Sequence, residues 1–391
     1  MLSIALFTYI FFLISLSLIS VRGGQRTDRG GDFYHDVNSL SSLVPAGVSF
    51  QGQSPEKTPF VGTFGANISN IYSIDLASSS FSAEGTAWLK YRAEDRPQWL
   101  KEWDPQIYKS PARMIQFVNA TDRTNFDYSI IPSRPHEDSD GRFIQWVAFS
   151  GRFVSPDLDL RMFPFETIDL SVEIDLDDVY ATEAVVGHEK SGPILTTSAR
   201  ISGYNYLDSS VTPKIHSYST NWGYAYSVDH FKRQNYTLFL SFLIKSAFAR
   251  NPWNSFLNIF LPLMIVMVVV LSSPLIAIQD YETRLAIPAS ALLVLVFLQE
   301  GYKSILPKGL NYPTLADLIY IFNMLLTIVV FVWSLFQTKS YFLAVSFDGF
   351  SPSSFALLDY QFFVLTLLFF VVAPVTFFLV YSRRFGKNIL S

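Results

Sequence analysis

Hydrophobic positions follow two rhythms along this chain of 391 residues. From Pro59 to Arg250 they come in short runs rich in Val, Ile, Tyr, Phe and Trp, broken by clusters of Asn, Asp, Gly, Pro and Ser. "ISNIYSIDL", "FSAEGTAWLKYR", "GRFIQWVAFSGRFV", "IDLSVEIDL" and "YTLFLSFLIKSAF" have the composition and turn-bounded length of strands. Several such strands without helical patterns between them predict an all-β, antiparallel, immunoglobulin-like sandwich over 59–250. The rhythm changes at Asn251-Pro252. "WNSFLNIFLPLMIVMVVVLSSPL" carries no charge, and a run of about 20 such residues crosses a hydrocarbon core of roughly 30 Å. Spanning helices are expected over about 253–275, 283–304, 315–336 and 357–381, making residues 251–391 an all-α transmembrane domain. Pro262, Pro288 and Pro374 lie inside these segments and predict local kinks.

The front of the chain sets the side. Residues 1–22 end an apolar run at Val21-Arg22 and read as a signal peptide, and 23–58 is a polar, flexible lead-in without sustained periodicity. Cleaved or retained as an anchor, the signal exports the sandwich. Charge counting argues the other way: Arg284 and Lys339 fall on the expected cytoplasmic side, against Lys303, Lys308, Arg383, Arg384 and Lys387 outside. The export signal ahead of a large domain outweighs that count. The expected location is a cell membrane, the bacterial inner membrane, with the N-terminal domain extracytoplasmic.

Composition removes several functions. The net charge of −4 offers no basic surplus for nucleic acid, and the absence of cysteine excludes disulfides, thiolate metal sites and cysteine nucleophiles. The five histidines, at 35, 136, 188, 216 and 230, lack metal-ligand spacing, and no nucleophile with a base, phosphate loop or cofactor motif points to an enzyme. "EIDLDDVYATE" offers Asp175, Asp177 and Asp178 as oxygen ligands for calcium, but without an EF-hand pattern it reads as a solvated strand end. The sequons at Asn67, Asn119 and Asn235 matter only in a glycosylating host.

The second spanning segment is the polar outlier. Helical spacing from Glu282 puts Glu282, Ala286, Ser290, Leu293, Phe297, Glu300 and Ser304 on one stripe. A carboxylate within a membrane is costly unless it faces water, so the stripe reads as pore lining rather than as helix-to-helix glue. Arg284 is off the stripe and is expected to face away.

One loop, "DLRMFPFETIDL", holds an apolar knob, Phe163-Pro164-Phe165, between charged residues. An exported sandwich joined to four helices, with "FPFE" in a late loop, Arg250 before the first helix, Pro262 within it, and "YETRLAIPASALLVLVFLQEGYKSILPKGLNYPT" as second helix and outer loop, resembles the pentameric ligand-gated ion channels, or Cys-loop receptors. Animal members close the loop with two cysteines; Pro156 and Leu170 stand at those positions, so the likeness is to bacterial members.

The resemblance implies a homopentamer whose stripe residues form rings of five. Glu282 then gives a selectivity ring at the inner mouth that attracts monovalent cations, Glu300 a second ring, and Leu293 with Phe297 a gate from which water withdraws. Clustered carboxylates repel one another, which makes current depend on pH. An agonist at the subunit interface, an amine or another small molecule, would sit in an aromatic box of Tyr224, Tyr226, Phe231 and Tyr236 from one subunit and Trp88, Tyr91 and Trp146 from its neighbour. Aromatics alternating along strands also fill sandwich cores. Protons are a further trigger, through His188 or His230. Coupling would run through Phe163, Pro164, Phe165 and Glu166, with Glu166 or Asp169 paired to Arg250 and Phe165 against the Pro307 loop. Besides lipid and the agonist, the expected partner is the chain itself. An anion-selective channel and a non-conducting membrane receptor are the competing readings.

Overall fold

The structure, a computed structural model, describes residues 33–36, 60–92, 110–121, 126–155, 158–180, 184–189, 201–218, 237–345 and 352–385. The expected signal peptide and most of the lead-in lie outside these residues. Among the described residues, ten strands, numbered in chain order, form two five-stranded sheets. One sheet orders β1 (Phe33–Asp36), β9 (Tyr204–Tyr218), β10 (Thr237–Arg250), β7 (Thr167–Tyr180) and β4 (Ile115–Phe117). The other orders β5 (Asp127–Glu137), β6 (Arg142–Val154), β3 (Ser80–Arg92), β2 (Phe60–Asp75) and β8 (Ala184–His188). All neighbours are antiparallel except β2 and β8. The lead-in is therefore not wholly free: Phe33–Asp36 pairs with the edge of β9.

Burial follows the period-two rule. Along β3, Phe81, Ala83, Gly85, Ala87, Leu89 and Tyr91 point inward while the residues between them are half-exposed. Phe64 of β2 stacks on Phe242 of β10 with centroids 4.1 Å apart, joining the sheets at the centre of the core. Asn119 ties one end: its Nδ2 donates to the carbonyls of Val154 and Ser171, each at 2.7 Å, and its Oδ1 accepts from Glu173 N–H at 3.0 Å. With that nitrogen bonded on both sides within the fold, the Asn119 sequon is not free for a sugar. β9, "YNYLDSSVTPKIHSY", is missed in the sequence because it is polar and lacks a clean alternation; its extended form comes from pairing along β10.

The helices are α1 (Pro252–Leu275), α2 (Tyr281–Lys303), α3 (Leu315–Val345) and α4 (Pro352–Phe385), each containing a stretch long and apolar enough to cross a membrane. Asn251 caps α1, its Oδ1 accepting the Trp253 N–H at 3.0 Å, with Pro252 at the first helical position. A π-turn at Phe256–Phe260 precedes Pro262. Proline cannot donate and crowds the carbonyl four residues back, and the widened turn relieves that clash. α3 runs nine residues past the expected end at 336, and α4 starts at Pro352, ahead of the expected 357. Apolar length marks a span, whereas a helix continues through "QTKSYFLAV" because nothing there breaks it.

Candidate functional site

α2 separates its two faces cleanly. Glu282, Ala286, Ser290, Leu293, Phe297, Glu300 and Ser304 are all exposed, while Arg284, Pro288, Ala291, Leu295 and Tyr302 are buried against the other helices. Leu293 and Phe297 are 59% and 67% exposed although they are the bulky apolar members of the stripe. The Ser290 hydroxyl donates to the carbonyls of Ala286 (2.8 Å) and Ile287 (3.0 Å), so it bonds its own helix and no neighbouring one. Arg284 faces away from the stripe, as expected. Its Nη2 donates to Asp359 Oδ1 of α4 at 2.5 Å, and the indole of Trp333 on α3 donates to the same oxygen at 3.0 Å.

The loop between β6 and β7 meets the helix ends that face the sandwich. Arg250 Nε donates to Glu166 Oε1 at 2.5 Å, Tyr204 donates to the same oxygen at 3.1 Å, and Arg250 Nη2 donates to the Tyr204 hydroxyl at 2.8 Å. The guanidinium also lies over the rings of Phe163 (5.1 Å) and Tyr204 (5.0 Å). Burial, with the adjacent Glu166 charge, holds the Tyr204 hydroxyl well above the usual phenol range. Glu166 is thus the partner of Arg250 foreseen from sequence; the Asp169 carbonyl instead accepts from the Ser155 hydroxyl.

Pro164 offers its carbonyl to the Ser255 hydroxyl of α1 at 2.9 Å. Phe165 is expected against the Pro307 loop, but its ring partners lie on α1 and α4. It stacks on Phe260 of α1, centroids 5.7 Å apart, and meets Phe378 of α4 edge-on at 5.5 Å. Contact with the other side of the bundle falls to Phe163, stacked on Tyr302 of α2 (6.1 Å), and to backbone bonds from Leu315 N–H to Arg161 O (2.8 Å) and Ala316 N–H to Phe163 O (3.1 Å). Tyr312, from the segment between α2 and α3, accepts the Leu160 N–H at 3.1 Å beneath the Arg161 guanidinium. Sequence reasoning passed over Tyr204, Phe260, Tyr302, Tyr312 and Phe378. Of these, Tyr312 had a signal: a lone aromatic in the Pro307 turn that the resemblance sets against the knob.

The aromatic box divides. Tyr224, Tyr226, Phe231 and Tyr236 lie outside the described residues. Tyr91, 1% exposed, is a core residue and does not reach a neighbouring subunit. Trp88 and Trp146 are cross-strand partners on the outward face of β3 and β6. The Trp88 ring lies against Gly65, where an added Cβ would come within 2.3 Å of it, and its Nε1 donates to Glu189 Oε2 at 2.8 Å. Of the calcium candidates, Asp175 is buried and accepts from Tyr218 (2.7 Å), Ser241 and His216 Nδ1 (2.9 Å); its oxygens serve the sandwich, not a cation. Asp177 and Asp178 lie in β7, with side chains outside the description, as are those of His188 and, wholly, His230. No group of metal-ligating side chains occurs among the described residues. Neither a scan against protein-family models nor a search of curated proteins finds a match to this chain.

Proposed function

We propose that this chain is the subunit of a homopentameric, ligand-gated, cation-selective channel similar to the bacterial pentameric ligand-gated channels, with an immunoglobulin-like sandwich on the extracytoplasmic side of a cell membrane. The exposed stripe on α2 carries the reading. A helix with a mixed polar and apolar face, bearing a carboxylate at each end, is stable in a membrane when that face meets water and equivalent faces of other copies. Glu282 then selects cations, and Leu293 and Phe297 form a ring from which water withdraws at rest. Arg284, the basic residue nearest Glu282, is buried and ion-paired, which disfavours the anion-selective alternative. Ligand binding between sandwiches reaches the pore through the junction of Glu166, Arg250, Phe163 and Phe165 with α1, α2 and α4. The ligand is an amine, another small molecule or the proton.

The test is a bilayer or oocyte recording of Leu293→Ala under a sodium chloride gradient, because widening the gate bypasses the agonist. Current reversing near the sodium potential supports the reading. Protein at the surface that passes no current, at any pH tried, leaves a non-conducting receptor.

A further inference from the structure

Arg284 is wholly inaccessible to solvent, and its Nε and Nη1 have no hydrogen-bond partner. Asp359 supplies its one salt bridge among the described residues, and Trp333 fixes the carboxylate from the third helix. A guanidinium keeps its charge in any protein setting, so this pair puts a permanent positive charge inside the bundle with a single counter-charge beside it. Its position along the membrane matters. Two residues along a helix mean a rise of about 3 Å and a turn of about 200°, so Arg284 lies level with Glu282 on the opposite face of α2, roughly one helix diameter from the carboxylate.

We propose that Asp359, on α4 behind the stripe, is a determinant of charge selectivity: it cancels Arg284, so that the field at the inner mouth is set by Glu282. The proposal rests on the pore reading above. Counting Glu282, Arg284 and Asp359 alone, the intact pair leaves one net negative charge per subunit at that level. Neutralising Asp359 uncovers the Arg284 charge and brings the subunit to zero. Across about 10–12 Å of partly polar medium, a single uncovered charge changes the preference for cations by about tenfold, and five act together, so about tenfold is the least change expected. Arg284 need not move, because a buried charge at that depth is weakly screened.

The experiment compares sodium-to-chloride permeability ratios from reversal potentials in the Leu293→Ala background, alone and with Asp359→Asn, Arg284→Gln or both. Asp359→Asn is expected to lower the ratio by at least about tenfold, and the double substitution to restore it, because charge balance returns although the ion pair is gone. A purely structural role for the pair would instead alter surface level or thermal stability with the ratio unmoved. Asp359→Asn current with the parent's reversal potential overturns the proposal. Where Asp359→Asn fails to reach the surface, Arg284→Gln alone decides: it uncovers the Asp359 charge and should raise the ratio, and an unmoved ratio overturns the proposal. A parent that passes no current removes the pore reading itself, whereas a conducting parent with unresponsive single variants removes only the role of Asp359.

Discussion

Deleting the Glu166 carboxylate tests the junction between sandwich and helices. In Glu166→Ala the Arg250 guanidinium keeps the Tyr204 hydroxyl and two ring faces but loses its ion-pair partner. Breaking one side of a buried pair costs about 3–5 kcal/mol. Arg250 retains some solvent contact and its cation–π contacts, which hold back about 1 kcal/mol. The net loss is about 2–4 kcal/mol, a fall in Tm of roughly 4–16 °C for a domain of this size. Glu166→Gln, which keeps an oxygen acceptor but not the charge, should lose about half of that. The assay is thermal unfolding in detergent followed by intrinsic fluorescence. Arg250→Met adds the decisive comparison: with both partners removed, the double variant Glu166→Gln/Arg250→Met should lose less than the sum of the singles by about 1–2 kcal/mol. A Tm for Glu166→Ala equal to the parent's, or strict additivity, would refute the ion pair as the tie between β7, β10 and α1.

Three further outcomes follow from the sandwich. Burial pushes the Tyr128 phenol up to about 12, while its ordinary value is 10.0. The unfolded chain therefore releases that proton first, so stability is fully present below pH 10 and declines as pH rises toward 12; Tyr128→Phe should flatten that decline in alkaline melts while losing the bond to Ala112 O. Asn119→Ala removes three hydrogen bonds and should cost about 2–3 kcal/mol in denaturant titration, and material from a glycosylating host should carry no sugar at Asn119 by mass spectrometry. Gly65→Ala forces a methyl into the Trp88 ring and should cost about 1–3 kcal/mol with an altered tryptophan emission.

The parts of the site that could be read from sequence depend on short-range periodicity. The α2 stripe was legible because helical spacing alone groups Glu282 with Ser290 and Phe297, and the structure exposes all seven positions. The Phe163-Pro164-Phe165 knob was legible as an apolar loop in need of an apolar seat, but which helices provide the seat depends on packing between segments over 90 residues apart in the chain. Tyr91 was misassigned although strand parity already spoke against it: Trp88 and Tyr91 are three residues apart in one strand and so face opposite ways. Asp359 also left a signal, a lone acid inside "LLDYQFF", and the lone Arg284 in α2 was its natural partner. Asp175 was misleading because "EIDLDDVY" looks solvated, while the polar groups that bury it come from β9 and β10.

The absence of cysteine makes the central claim directly testable. Single substitutions Ala286→Cys, Ser290→Cys, Leu293→Cys and Phe297→Cys, with Ala291→Cys and Leu295→Cys as controls, can be exposed to a positively charged methanethiosulfonate reagent during recording. Irreversible change of current at the first four and none at the two buried positions is the predicted result. Equal modification on both faces, or modified thiols at the stripe that leave the current untouched, would contradict a pore lined by this face of α2.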